Sequence, residues 1–169
     1  MLITQKIADT INEQIGNELA ASIQYVAIAA YFTDEGLPEL AGYFQKQSDE
    51  ERMHALKFVQ YLGDTASKLE IPAIPKPICK FKSVEDAIEL SYNQEVKVTK
   101  QIEAILKLAL EEKSYLTQNF LQWFLTEQLE EVSSMDNLLK IVRLAGPDNL
   151  LHIEQFIARR GHPEEATKE

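Results

Sequence analysis

The placement of proline constrains the fold of this chain more than any other feature of its sequence. Pro72, Pro75 and Pro77 crowd into the segment 67–82, where they forbid a regular helix and favour an extended strap. Pro38, by contrast, can occupy the first turn of a helix. The rest of the sequence predicts four long helices and one short helix, over about 5–34, 38–64, 83–112, 115–145 and 148–160.

Residues that start and stop helices mark the ends of these segments. Thr4 can cap the first helix, and Ser83 followed by Asp86 resembles a capping box before the third. Gly36 ends the first helix and Gly146 ends the fourth. Two tight connections and one strap as long as a helix predict an all-α four-helix bundle with a single long crossover and a short fifth C-terminal helix. We assign residues 1–169 to one domain.

Composition excludes several classes of function. The chain has 27 acidic and 17 basic residues and a net charge of −10, which argues against nucleic-acid binding. Its longest apolar stretch, 20–32, is too short for a membrane span, and the first residues do not resemble a signal peptide. The single cysteine, Cys79, can form no internal disulfide and is interpreted as an incidental thiol in the strap. A cytoplasmic protein is therefore expected.

Every long helix carries a stripe of residues spaced three and four apart, which should face the bundle axis. The stripes are apolar at both ends and polar near the middle. A glutamate lies near the centre of each: Glu18, Glu51, Glu95 and Glu131. The stripes comprise Ile11, Ile15, Glu18, Ser22, Tyr25, Ala29 and Phe32; Ala41, Phe44, Ser48, Glu51, Ala55, Phe58 and Leu62; Val84, Ile88, Ser91, Glu95, Val98, Ile102, Ile105 and Ala109; and Phe124, Gln128, Glu131 and Leu138.

Four buried carboxylates at one level would repel one another and lose hydration, unless cations lie between them. His54 follows Glu51 by three residues and therefore shares its helix face. This spacing alone is weak evidence, but its position in the stripe supports a site for two divalent cations. Oxygen-rich ligation with one imidazole suits iron or manganese, and zinc could also bind.

These residues resemble the oxidation site of the ferritin family, specifically its non-haem bacterial and archaeal branch. The resemblance covers nearly the whole chain, including the crossover and the fifth helix. It implies a di-iron centre in which Glu51 bridges two irons, Glu18 and His54 hold one, and Glu95 and Glu131 hold the other. The matching motifs are Glu18, Glu51-Arg52-Met53-His54, Glu95 and Glu127-Gln128-Leu129-Glu130-Glu131.

The resemblance also implies secondary roles. Gln128 would lie beside the two irons, and Glu50, Glu127 and Glu130 would supply a third iron site. Tyr25 would be a candidate electron donor during oxygen reduction, although a buried core tyrosine is an equal alternative.

Other residues near the predicted site have simpler interpretations. Trp123 and Phe124 are interpreted as core residues. His152 and His162 are expected to face solvent. The apolar fifth helix either is buried inside a multimeric shell, as the family implies, or simply caps the bundle.

Three departures argue against two close relatives of this branch. The fourth helix lacks the second histidine of haem-containing bacterioferritin, and Arg52 occupies the place expected for its haem-ligating methionine, so no haem is expected. Rubrerythrin-like peroxidases would need four further cysteines for their second iron site, whereas this sequence has only Cys79.

The function implied by the resemblance is that of a ferroxidase, an Fe(II):oxygen oxidoreductase. Such a protein oxidises ferrous iron with oxygen or peroxide and stores a ferric mineral inside a homo-oligomeric shell of 24 subunits. Two alternatives stay open: a di-iron oxygenase or oxidase acting on an organic substrate, and a helical interaction module without metal. The oxygenase would need an apolar substrate pocket beside the metals, where the sequence instead has Glu50, Glu127 and Glu130.

Overall fold

The computed structural model describes residues 1–160, and within them the chain forms helices and no strand. Four long helices pack side by side, and a fifth short helix lies across one end. The predicted bundle with one long crossover is therefore confirmed. Its elements are α1 (Gln5–Asp34), α2 (Pro38–Asp64), α3 (Val84–Glu111), α4 (Tyr115–Ala145), a 3-10 turn (Pro147–Asn149) and α5 (Leu150–Arg160).

Two side chains cap helix N-termini at the residues that the sequence indicates. Thr4 Oγ1 accepts a hydrogen bond from the Ile7 amide, and Ser83 Oγ accepts one from the Asp86 amide. Gly146, which has a φ of 73°, ends α4 in a conformation that favours glycine. Pro147 then opens a 3-10 turn, so α5 begins at Leu150 rather than near residue 148.

Every residue of the four predicted stripes is buried. They form two core clusters, one on each side of the polar middle of the bundle. Each fully buried isoleucine or phenylalanine contributes about 1.5–3 kcal/mol relative to an exposed one. The first cluster includes Phe32, Phe44, Ile88, Leu138 and Ile153, and the second includes Ile11, Phe58, Ile102, Leu121 and Phe124.

Helix α5 is attached to the bundle by both apolar and polar contacts. Ile153 and Ile157 are buried in the first core cluster. The Glu154 carboxylate accepts hydrogen bonds from the backbone amides of Glu39 and Leu40, at 2.8 and 2.9 Å. Because the first amides of a helix lack partners within that helix, Glu154 caps α2 from the far end of the chain.

The strap is held along α1 by two buried amide side chains. Asn12 donates to the Lys68 carbonyl at 2.9 Å and accepts from the Glu70 amide at 2.7 Å. Twelve positions later, Gln24 donates to the Ile78 carbonyl and accepts from the Ile78 amide, both at 2.8 Å. Each side chain pairs with the strap backbone as a neighbouring strand would. These bonds satisfy backbone N–H and C=O groups of a segment that has no secondary structure of its own.

Between these two amides, Gly16 allows the strap to approach α1 closely. A Cβ built on Gly16 would lie 2.3 Å from Pro72 Cγ. We therefore expect Gly16→Ala to displace the strap and to lower stability by about 1–3 kcal/mol, because Pro72 must move while Asn12 and Gln24 hold the strap on either side of it. The measurements are the thermal unfolding temperature, which should fall, and the rate of tryptic cleavage after Lys80 or Lys82, which should rise.

Gly42→Ala is the matched control for this substitution. Gly42 also lies within a helix, but a Cβ there meets no atom within 4 Å. That variant should be as stable as the parent protein or more stable by about 0.5–1 kcal/mol. Equal behaviour of the two variants would contradict the close approach of the strap at Gly16.

Candidate metal centre

A layer of polar side chains separates the two core clusters, and all four long helices contribute to it. Glu18 comes from α1, Glu51 and His54 from α2, Glu95 from α3, and Glu131 from α4. None of these five side chains is more than 6% exposed. The predicted residues therefore meet in the interior of the bundle at one level, because the stripes that carry them face the same axis.

Two groups of three side chains bring possible ligand atoms within 4.8 Å of one another. The first group is Glu18, Glu51 and His54, and the second is His54, Glu127 and Glu131. His54 belongs to both groups. Its Nδ1 atom lies 3.4 Å from Glu51 Oε2, and its Nε2 atom lies 4.0 Å from Glu127 Oε1. The imidazole thus lies between two sets of carboxylates.

Two of the carboxylates each accept a hydrogen bond from a neighbouring side chain through one of their two oxygens. Gln14 Nε2 donates to Glu18 Oε1 at 2.8 Å, and the Tyr25 hydroxyl donates to Glu95 Oε1. The other oxygen of each carboxylate, Oε2, is buried and has no hydrogen-bond partner among residues 1–160. A neighbouring side chain therefore orients each carboxylate and leaves one oxygen available.

Unpartnered buried atoms show what this layer could bind. Besides Glu18 Oε2 and Glu95 Oε2, Glu51 Oε2 and both ring nitrogens of His54 have no hydrogen-bond partner in the described part of the chain. Leaving so many acceptors buried and unpaired is costly. Carboxylate oxygens and imidazole nitrogens are ligands of divalent iron, manganese and zinc, so the residues present fit a pair of such cations.

Burial in this layer disfavours the charged form of every carboxyl group. It raises the pKa of Glu95 to about 7, although the hydrogen bond from Tyr25 opposes the shift. Burial also raises the pKa of Glu51 and Glu131 well above the ordinary value, and repulsion by Glu95 adds to both shifts. Burial raises the pKa of Glu18 in the same direction. Cations would reverse this balance by stabilising the ionised carboxylates.

His54 is held in its neutral form, in which imidazole binds metals. Burial, and to a lesser degree the positive charge of Lys57, lowers the His54 pKa to about 4. The ring packs edge-on against Trp123 and Phe124, with ring centres 5.5 and 6.0 Å apart. These aromatic rings fix the orientation of the imidazole without using either nitrogen.

The predicted third site is less compact than the main layer. Glu127 is 16% exposed and lies in the second group with His54 and Glu131. Glu50 lies close enough to help raise the pKa of Glu131, and it accepts a hydrogen bond from Gln47. Glu130 is exposed and belongs to neither three-residue group. The structure thus brings Glu50 and Glu127 toward the centre, but not Glu130.

Other predicted residues fall in varied surroundings. Tyr25 is fully buried, and its ring packs on Phe44. Phe124 is a core residue as expected, whereas Trp123 is 37% exposed and lies under Lys57 Nζ, 3.9 Å from the ring centre. Further from the centre, Cys79 and His152 are exposed, and His162 lies outside the described residues.

Sequence reasoning missed three polar residues around the layer: Gln14, Gln47 and Thr99. Each lies one helical turn from a predicted ligand, because Gln14 precedes Glu18 by four residues, Gln47 precedes Glu51 by four, and Thr99 follows Glu95 by four. Thr99 Oγ1 lies 3.0 Å from Gln128 Oε1. The same spacing rule that paired Glu51 with His54 could have found all three.

The fold and the polar layer together define a class: four-helix bundles that bind metal through carboxylates and imidazole at the centre of the bundle. Comparison with known proteins gives the family. The profile of the ferritin-like domain matches residues 8–145. The chain therefore belongs to the ferritin family.

Individual relatives agree with this assignment. The chain is 47% identical to ferritin BfrB of Mycolicibacterium smegmatis over 150 residues, which cover 88% of this chain and 82% of that one. It is 32% identical to a bacterial non-heme ferritin of Staphylococcus haemolyticus over 166 residues, covering 97% and 100% of the two chains. Among solved structures, an open pore ferritin from Archaeoglobus fulgidus superposes with a TM-score of 0.91 at 32% identity, covering 95% and 99%.

Proposed function

We propose that this protein oxidises ferrous iron with oxygen or peroxide at the buried centre and stores the product as a ferric mineral. Membership of the ferritin family supports iron storage as the general role. The observation that carries the finer proposal is the set of unpartnered buried atoms on Glu18, Glu51, Glu95 and His54. They provide nitrogen and oxygen donors for two ions in a space closed to solvent.

Iron is the substrate of this reaction, and the chain supplies its ligands and surroundings. Two ferrous ions give one electron each, and these two electrons with two protons convert one oxygen molecule to hydrogen peroxide. Glu18 and His54 would hold one ion, Glu95 and Glu131 the other, and Glu51 would lie between them. Negatively charged carboxylates favour the ferric over the ferrous ion, so they assist the loss of electrons.

The remaining site residues have supporting roles in this proposal. Gln128 would lie beside the second ion, while Glu50, Glu127 and the more exposed Glu130 would supply a third iron site away from the centre. The hydrogen bond from Tyr25 to Glu95 supports Tyr25 as a further electron donor, because it brings a phenol into direct contact with a proposed ligand.

Assembly and location are part of the same proposal. We infer a homo-oligomeric shell of 24 subunits, located in the cytoplasm and without haem. The archaeal neighbour is an open pore ferritin, and electron microscopy of the assembled particle would show whether the shell of this protein is open or closed. Within residues 1–160, no helix combines the length and the apolar character that a membrane span requires.

The test is to measure particle mass and iron content together after the purified protein has been exposed to ferrous salt and air. Particles of 24 chains that hold many irons per chain would support the proposal. A dimer that retains about two irons per chain would contradict storage and favour an oxygenase acting on an organic substrate. Protein that binds no iron would contradict both, and would favour a helical interaction module.

A further inference from the structure

The hydroxyl group of Thr99 faces two hydrogen-bond acceptors but carries one hydrogen. Its Oγ1 atom lies 2.9 Å from the backbone carbonyl oxygen of Glu95 and 3.0 Å from Gln128 Oε1. A threonine hydroxyl donates one hydrogen bond and can accept others. Thr99 therefore cannot satisfy both oxygens at once while the Gln128 amide keeps this orientation.

Turning the Gln128 amide over removes the conflict. The oxygen and nitrogen of a side-chain amide occupy equivalent positions, so a half-turn exchanges them with little movement of other atoms. After this turn, Gln128 Nε2 donates to Thr99 Oγ1, and the Thr99 hydrogen is free for the Glu95 carbonyl. Gln128 Oε1 then faces away from Thr99. The turned arrangement satisfies both oxygens beside Thr99, but it gives up the contact of the Gln128 NH2 group with the Glu95 carboxylate.

The charge beside Gln128 determines which arrangement is favoured. The Gln128 amide acts on the Glu95 carboxylate and lowers its pKa, as expected when the NH2 group faces that carboxylate. A cation between Glu95 and Glu131 would reverse the preference, because it attracts the amide oxygen and repels the NH2 group. Gln128 is only 2% exposed, so water cannot readily replace a lost partner.

We propose that Thr99 is a positioning residue that stays hydrogen-bonded to the Gln128 amide while this amide rotates by half a turn. Gln128 presents its NH2 group to the centre when no cation is bound, and its oxygen when a cation is bound. The inference rests on the proposed function, since it requires cations at this centre. Thr99 donates to Gln128 in the first arrangement and accepts from it in the second. Gln128 thus keeps a partner on Thr99 in both.

Titration of the iron-free protein with zinc alone tests this inference, because zinc binds nitrogen and oxygen ligands without redox chemistry. Thr99→Val removes the hydroxyl at nearly constant shape and should weaken the second zinc equivalent about fivefold, which corresponds to one hydrogen bond. Thr99→Ser keeps the hydroxyl and should bind as the parent protein does. In a crystal structure of the zinc form, one atom of the Gln128 amide should contact the metal, which identifies it as Oε1, and the other should stay within hydrogen-bond distance of Thr99 Oγ1.

A double-mutant cycle separates this role from a general effect on folding. In a Gln128→Leu background, Thr99→Val should no longer change zinc affinity. Thr10→Val is the matched control, since Thr10 also donates to a carbonyl one turn earlier, that of Lys6 at 2.9 Å, and lies far from the centre. Unchanged affinity in Thr99→Val, or a loss that persists in the Gln128→Leu background, would overturn the inference alone. Failure of the parent protein to bind two zinc ions would overturn the proposed function as well.

Discussion

Glu51→Ala is expected to slow the oxygen-dependent oxidation of ferrous iron by at least about a hundredfold. Loss of a partner that merely orients a ligand costs about 10- to 100-fold in affinity or activity, and Glu51 would itself be a ligand to both ions. Its side chain is 1% exposed and contacts both Glu18 and His54, so no other described side chain can take its place. Stopped-flow absorbance of ferric product, with two ferrous ions added per chain, measures the effect.

Glu103→Ala provides the control for this experiment. Glu103 is an exposed glutamate of α3, away from the bundle axis. Its substitution should leave the initial rate within about twofold of the parent rate, since surface changes have small effects. An oxidation rate that survives in a folded Glu51→Ala protein would refute the assignment of the centre.

The iron-free protein should become less stable as the pH rises from about 4.5 to about 7. The Glu95 carboxyl has a pKa of about 7 in the folded protein and an ordinary value of 4.5. The folded state therefore binds more protons than the unfolded state between these pH values, and stability falls as the pH rises through this window. The raised pKa of Glu95 alone should lower the free energy of unfolding by about 3 kcal/mol at neutral pH.

Comparison with Glu95→Gln isolates this contribution. The variant keeps an oxygen to accept the Tyr25 hydrogen bond but cannot ionise. His54, whose pKa is lowered to about 4, has the opposite effect between about pH 4 and 6.5, but it contributes equally to both proteins. Chemical unfolding of the iron-free proteins should give similar stabilities near pH 4, and Glu95→Gln should be the more stable at pH 7. Parallel stability curves over this range would show that the Glu95 carboxyl is not buried as described.

The sequence was sufficient for the bundle because its signals are local and repeated. Spacings of three and four residues place Ile11 or Ile102 on the axis whatever the partner helix, and every predicted stripe residue is buried. The same periodicity brought Glu18, Glu51, Glu95 and Glu131 to one level. The assignment of roles to these residues came from resemblance to ferritins and stays a proposal.

What the sequence could not supply are contacts between segments far apart in the chain. Nothing local to Asn12 or Gln24 indicates that each pairs with the backbone of the strap, more than fifty residues later. Glu154 likewise looks like one more charge on a short helix until the structure places it on the first amides of α2. Such pairs depend on how the helices are arranged in space, which periodicity alone does not determine.

The two amide pairs along the strap have a consequence for how this chain can vary. Asn12 is hydrogen-bonded to the backbone of Lys68 and Glu70, and Gln24 to that of Ile78. The chain between these two attachment points therefore has to span a fixed distance. An added residue inside that interval would have to bulge out, and a deleted residue would break one of the two amide pairs. The strap therefore spans a set distance along the bundle, and insertions or deletions in related chains should be rare between residues 70 and 78.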